Sequence, residues 1–412
     1  MLDRLVKTPM IRQYLSIKEK YKDAILFFRL GDFYEMFFDE AVEVSRILNL
    51  TLTKRNNVPM CGIPYHAYKV YVARLLRAGK KIAICEQVSN PLPGELTKRE
   101  VIEVISPGLA VEDDFLESGK DNYLLAIYCS KNQIRGAKHQ NNYDGIAYID
   151  VSSGSFFCTS FLQKDREKEL FKELGRISPS EILIPQSLEK DQTIMKRLEL
   201  EYPQILKNSV PDSSFDGEKA FDKLCHLFAT ESLKAFGLEK TSPELPAAGI
   251  IIEYLEQTSQ NLLLHISGIT RVLESDFVGI DHSTRKNLEL TANLNDNSTN
   301  YTLFEVVNST RTSMGTRLLR RMLQQPIRAK DILNTRLDKI ASLIEKQKIL
   351  NLIRSSLSSV SDVERLTSRI AMQKANAREL LSLSKSLSRV KYLHSLILEN
   401  ELNFFDLSDN EV

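Results

Sequence analysis

The chain has 412 residues, 42% of them hydrophobic and 26% charged, with 55 Lys+Arg against 54 Asp+Glu for a formal net charge of +1. At roughly 100–200 residues per domain, this length predicts about two to four domains, and the composition excludes wholesale disorder. The near-zero charge conceals unlike segments: residues 1–110 hold 17 basic and 12 acidic side chains, residues 111–280 hold 18 and 27, and residues 281–412 hold 20 and 15.

The first segment mixes strands and helices. Ile25 to Phe28 reads as a short buried strand and Gly31-Asp32 as a turn. A helix is expected to follow, because Phe37, Ala41, Val44 and Leu48 recur at the spacing of one apolar face. Thr51 to Thr53 reads as extended, and Asn56 to Pro64 as a loop from its Asn, Pro and Gly content. Tyr71 to Ala78 reads as a helix with Gly79 as its C-cap, Lys81 to Cys85 as a strand, and Pro91 to Gly94 as another loop. A boundary is expected near Ser106-Pro107-Gly108 and the acidic Glu112-Asp113-Asp114.

The second segment opens with three strand candidates, Tyr123–Tyr128, Ile146–Val151 and Ser155–Phe161, the last two forming a hairpin across Ser152-Ser153-Gly154. A charged helix from Lys164 to Leu174, a strand from Glu181 to Ile184, and helices near 220–235 and 249–257 complete a mixed α/β pattern. The third segment is almost purely helical, from Leu303 to Leu323 and from Ile332 to Asn400, with Pro326 as a break. Arg317, Arg320 and Arg321 share one amphipathic helix there; the basic face reads first as solvated and second as a nucleic-acid contact.

Met1 to Lys22 is polar and mixed in charge, without the apolar core of a secretory signal, and no run approaches 18 apolar residues. Five scattered cysteines (Cys61, Cys85, Cys129, Cys158, Cys225) form no C-x-x-C pair and read as reduced thiols. These features predict a soluble, cytoplasmic protein without membrane contact.

Catalytic patterns are absent. There is no G-x-x-x-x-G-K-[ST], no G-x-G-x-x-G after a strand, no H-E-x-x-H and no G-x-S-x-G, and the six histidines lack ligand spacing. Asp150 stands before Ser-Ser-Gly and reads as a turn residue, because metal-dependent nucleases need several convergent carboxylates. No catalytic residue, cofactor or metal is expected.

Gly31-Asp32-Phe33-Tyr34-Glu35 allows two readings. In the structural one, Asp32 caps the following helix, Glu35 completes a capping-box-like pair, and Phe33 extends the apolar stripe four residues before Phe37. In the functional one, Phe33 projects outward from a basic domain and wedges between bases, which costs least where pairing is already defective. Glu35 would then bond to the displaced base and penalise an intact duplex that offers it no partner. Spacing alone favours the structural reading.

At these residues the chain resembles the MutS family of DNA mismatch-repair proteins. The resemblance spans essentially the whole chain as the amino-terminal portion of that family. It rests on Thr8-Pro9-Met10 with Gln13-Tyr14-Leu15, Gly31-Asp32-Phe33-Tyr34-Glu35, Leu52-Thr53-Lys54-Arg55, Gly62-Ile63-Pro64-Tyr65-His66 and Ala83-Ile84-Cys85-Glu86-Gln87. Later blocks are Ser106-Pro107-Gly108, Asp150-Val151-Ser152-Ser153-Gly154, Arg285-Lys286-Asn287-Leu288-Glu289-Leu290 and Asp362-Val363-Glu364-Arg365-Leu366.

The resemblance implies that Phe33 stacks on a mispaired base and Glu35 hydrogen-bonds to it, which overrides the spacing argument. Lys54 and Arg55 are candidate phosphate contacts, with a solvated basic pair as the alternative. The implied fold is multidomain α/β plus all-α: a mixed α/β recognition domain at 1–110, a ribonuclease-H-like connector at 122–265, and a helical core with the start of a lever at 266–412. A full-length family member would add a DNA clamp and an ATPase domain using ATP and magnesium, and would be a homodimer. This chain, with neither, is expected to bind mismatched double-stranded DNA weakly as a monomer or weak dimer, and to meet repair partner proteins through the connector. Either a fragment or a truncated reading frame would explain its length. The alternative function is a non-enzymatic protein-interaction scaffold with vestigial DNA binding, centred on the acidic middle segment.

Overall fold

The computed structural model describes residues 8–88, 97–130, 143–400 and 402. The expected loop at Pro91–Gly94 lies outside them. The chain begins with α1 (Pro9–Lys18), β1 (Ala24–Leu30), β2 (Phe33–Phe37), α2 (Phe38–Leu48), β3 (Thr53–Arg55), β4 (Val58–Pro64), α3 (Tyr68–Arg77), β5 (Lys81–Gln87) and β6 (Arg99–Ile105). There follow β7 (Leu124–Tyr128), β8 (Tyr143–Asp150), β9 (Ser155–Leu162), α4 (Arg166–Ile177), β10 (Glu181–Pro185), α5 (Gln186–Glu189), α6 (Gln192–Glu201) and β11 (Leu206–Val210). After these come α7 (Gly217–Leu227), α8 (Leu245–Thr258) and β12 (Thr270–Arg271). The remaining elements are helical: α9 (His282–Asn287), α10 (Leu303–Val307), α11 (Ser313–Gln324), α12 (Lys330–Glu345), α13 (Gln347–Leu357), α14 (Val363–Ala371) and α15 (Ala377–Glu399). The fold class is mixed α/β followed by all-α, as the sequence pattern predicts.

Two compact units divide these elements: Met1–Leu116 with Asn122–Ala126 and Pro179–Asp212, and Glu117–Asp121 with Ile127–Ser178 and Ser213–Val412. The first unit contains a six-stranded sheet of order β3-β4-β2-β1-β5-β6. Strand β1 is antiparallel to β2 and parallel to β5, so it sits inside the sheet, paired along both edges. Ile25 and Phe27 join Tyr34 and Met36 of β2 in a core with Ala41, Val44 and Leu48 of α2 and Val72, Leu75 and Leu76 of α3. Ala24, Leu26 and Phe28 point the other way, meeting Phe37 and the α1 residues Ile11 and Tyr14. Burial on both faces is why the strand reads as a continuous apolar run instead of an alternating one.

Two sequence expectations need correction. Residues 33–37 form a strand, and the helix starts only at Phe38, so Asp32 is no N-cap and Glu35 no capping-box partner. The reason lies in backbone pairing: Leu30 faces Phe33 across the two-residue Gly31-Asp32 turn, and β2 is bonded on its other side to β4. Alternation then sends Tyr34 and Met36 to one core and Phe37 to the other, a period of two that the helical reading overlooks. The expected loop at Asn56–Pro64 is instead a turn and a strand. Asn56 and Asn57 adopt φ of 48° and 67°, the pair of positive values a two-residue hairpin turn demands, and β4 follows with Val58, Cys61 and Ile63 buried. Gly79 does end α3 as expected: it adopts φ +71°, while the Lys80 N–H reaches back to the Leu75 carbonyl at 3.0 Å.

The first unit also holds β10, which pairs in parallel with β11 and with Leu124–Ala126 of β7. Glu181 at the start of β10 is fully buried and accepts hydrogen bonds from the Gly108 N–H at 2.9 Å, Asn208 Nδ2 at 2.7 Å and the Ser106 hydroxyl. The Ser-Pro-Gly block thus satisfies a buried carboxylate.

In the second unit β8 and β9 form the expected antiparallel hairpin, and β12 adds in parallel to β9. Asp150 acts as a turn residue: its Oδ1 accepts from the Ser152 N–H at 2.9 Å and the Ser152 hydroxyl at 2.6 Å. The expected solvated face on α11 is a third correction. Arg317 is fully buried, with Nη1 2.5 Å and Nη2 2.8 Å from the two Asp362 oxygens and Nη2 2.5 Å from Glu364. The Arg320 guanidinium lies 4.1 Å from the centre of the Phe304 ring and donates to the Thr291 carbonyl. Carboxylates at the start of α14, invisible to any reading of α11 alone, draw Arg317 inward.

Candidate nucleic-acid interface

The candidate site is built on the β1–β2 turn. Gly31 adopts φ +58°, in the left-handed region open to a residue without Cβ, and the reversal brings Phe33 to the first position of β2. The Phe33 side chain is 48% exposed, unlike the buried Tyr34, Met36 and Phe37 that follow it. Glu35, two residues on, shares its face. Gly62 of β4 stands opposite Glu35, and a Cβ placed there would lie 3.5 Å from Glu35 Cγ and 4.0 Å from Phe33 Cδ1. A phenyl ring and a carboxylate therefore flank the same backbone glycine.

The two basic candidates behave differently. Lys54 is exposed on β3. Arg55, at the end of that strand, is 46% exposed and places Nη1 2.8 Å from Glu35 Oε2. The structure thus brings Phe33, Glu35 and Arg55 together, with Arg55 engaged by the carboxylate.

A further cluster escaped sequence reasoning. The Arg29 guanidinium lies 3.7 Å from the centre of the Tyr65 ring and pairs with Glu86 at 3.2 Å, while the Tyr34 hydroxyl also donates to Glu86. Burial, reinforced by that carboxylate, pushes the Tyr34 hydroxyl well above the ordinary tyrosine range. Tyr65 follows Pro64, the register partner of Phe33, and its N–H donates to the Asp32 carbonyl at 2.9 Å. It is a second exposed aromatic beside the turn. The only available signal was its place in the Gly62–His66 block, which assigned it no task.

Chemically the arrangement offers an aromatic face, an acceptor and cations, which suits binding. Among the described residues, no group of three His, Cys, Asp or Glu is placed to hold a metal ion, and no helix is long and apolar enough to cross a membrane.

Residues 8–114 match the family model described as MutS domain I, residues 122–267 that of MutS domain II, and residues 283–410 that of MutS domain III. The chain belongs to the MutS family. It is 58% identical over 405 residues to the DNA mismatch repair protein MutS of Treponema denticola, covering 98% of this chain and 46% of that protein. The MutS of Treponema pallidum is 45% identical, covering 95% of this chain and 43% of its own length. The MutS of Borreliella burgdorferi is 40% identical, with 92% and 42% covered. The chain therefore spans less than half the length of these curated relatives. Phe33, Glu35, Lys54, Arg55 and Tyr65 all fall within the MutS domain I match, and Arg317 and Asp362 within that of MutS domain III.

Proposed function

We propose that this chain recognises mismatched double-stranded DNA, with Phe33 inserted at the mispair from the minor groove and Glu35 hydrogen-bonded to the displaced base. The observation that carries the reading is an exposed phenyl ring held on a strand paired on both sides, beside a carboxylate on the same face. A rigid wedge suits the task, because unstacking a base step costs a few kcal/mol and costs least at a defective pair. The relatives named DNA mismatch repair protein support the same reading.

Lys54 supplies a phosphate contact that adds affinity without sequence preference. The net-acidic middle, within residues 122–265, is the segment through which repair partner proteins would dock. This portion acts as a binder and not as an enzyme. The G-x-x-x-x-G-K-[ST] loop that cradles the phosphates of ATP does not occur in the sequence.

The test is a competition titration, read by fluorescence anisotropy, of a labelled duplex carrying one mismatch against its fully paired counterpart at low salt. Preferential binding of the mismatched duplex is expected, and equal affinity for the two would overturn the proposal.

A further inference from the structure

We infer that Arg55 is a specificity-determining residue that competes with the mispaired base for the Glu35 carboxylate, an inference that rests on the mismatch-binding reading above. Arg55 Nη1 lies 2.8 Å from Glu35 Oε2, so the carboxylate has a counter-ion within the chain itself. The pair is asymmetric. The Glu35 side chain is 13% exposed and its strand is held between Phe28 of β1 and Gly62 of β4, whereas Arg55 is 46% exposed. Arg55 also ends the outermost strand of the sheet, next to the Asn56-Asn57 turn. The anion is the enclosed partner and the cation the accessible one.

A base N–H and the guanidinium draw on the same negative charge, so a base bond to Glu35 forms at the expense of the ion pair. A matched duplex offers Glu35 no partner; Arg55 keeps the carboxylate neutralised there, sparing the complex a bare anion among phosphates. The strength of the pair is therefore subtracted from mismatch binding and not from matched binding. Arg55 raises the threshold a mispair must pass.

The experiment measures the ratio of mismatched to matched affinity for the full chain and its variants, using duplexes of one length. In Arg55→Gln both affinities should fall with the loss of one cation, while the ratio rises roughly two- to fivefold, the range an exposed ion pair commands. Arg55→Lys, which keeps a cation within reach, should return the ratio towards the parent value. In a Glu35→Gln background, Arg55→Gln should leave the ratio unchanged, because the charge under competition is gone. Thermal melts of all variants check that each is folded, which the exposure of Arg55 favours. If Arg55→Gln weakens both duplexes by one factor, or lowers the ratio, the competition is overturned while mismatch recognition stands. If the parent chain itself shows no mismatch preference, the underlying reading fails and takes this inference with it.

Discussion

Phe33 and Glu35 stand two residues apart on one face of β2, the phenyl 48% exposed and the carboxylate side chain 13% exposed, with Gly62 opposite the carboxylate. A strand, with its period of two, sets this spacing; a helix of the same residues would have turned the two side chains apart. The arrangement separates what each side chain contributes.

Phe33→Ala should abolish preference for a mismatched duplex while leaving the salt-sensitive binding of matched DNA largely intact, because phosphate contacts do not involve the ring. Stability should change by less than about 1 kcal/mol, since an exposed side chain contributes little to the core. Anisotropy competition and a thermal melt measure the two quantities on one sample, and a variant that discriminates as well as its parent would refute the wedge.

Glu35→Gln should change the mismatch preference more than the overall affinity. Helix α2 begins at Phe38, so Glu35 caps nothing, and the melting temperature should stay near that of the parent. A marked fall in stability together with an unchanged preference would point back to a structural role.

The Arg317–Asp362 pair should make the stability of the helical region depend on pH. Burial alone would raise the Asp362 carboxyl, but hydrogen bonds and charge from Arg317 outweigh it and hold the group below the ordinary carboxylate range. The folded state therefore binds fewer protons than the unfolded chain in acid. The stabilisation is complete above the unfolded value near 4 and is lost as pH falls through the lowered folded value. Urea unfolding followed from pH 6 down to pH 2 should show this slope, and Asp362→Asn should flatten it. Removing the cation instead, as Arg317→Met, should cost about 3 kcal/mol at neutral pH, because partly buried carboxylates lose their partner.

Thiol reactivity should follow burial. Desolvation, with a smaller contribution from Glu40, pushes the Cys61 thiol up to about 12. Desolvation likewise raises Cys85 to about 12 and Cys158 above its ordinary range. Iodoacetamide at pH 8 should therefore modify the half-buried Cys129 and Cys225 first, and reach the other three only on unfolding. Peptide mapping by mass spectrometry reads the order, and early labelling of Cys61 or Cys85 would contradict the packing of the first unit.

Element type was legible wherever the pattern was local and strongly periodic. The apolar run Ile25–Phe28, the Ser152-Ser153-Gly154 hairpin and the Gly79 cap all read correctly, because each signal lies within a few residues. The stretch 33–37 misled because aromatic residues followed by an apolar helical stripe satisfy both periods until strand pairing is known. Asn56–Pro64 misled because two asparagines and two prolines resemble a loop, although the asparagines form only the turn and the rest is paired.

What the amino-acid order determined by itself was the inventory: a glycine turn, a Phe-x-Glu block, a basic dipeptide and the family to which they belong. Motif order is a one-dimensional property and survives without coordinates. Which of those residues meet was decided only by the tertiary structure. Arg55 is 20 residues from Glu35 and Arg317 is 45 from Asp362, and no local periodicity encodes such distances. Arg317 reads as solvated in its own segment and Arg55 as a phosphate contact or a solvated cation, and each becomes a partner because strand pairing or helix packing brings a distant carboxylate to it.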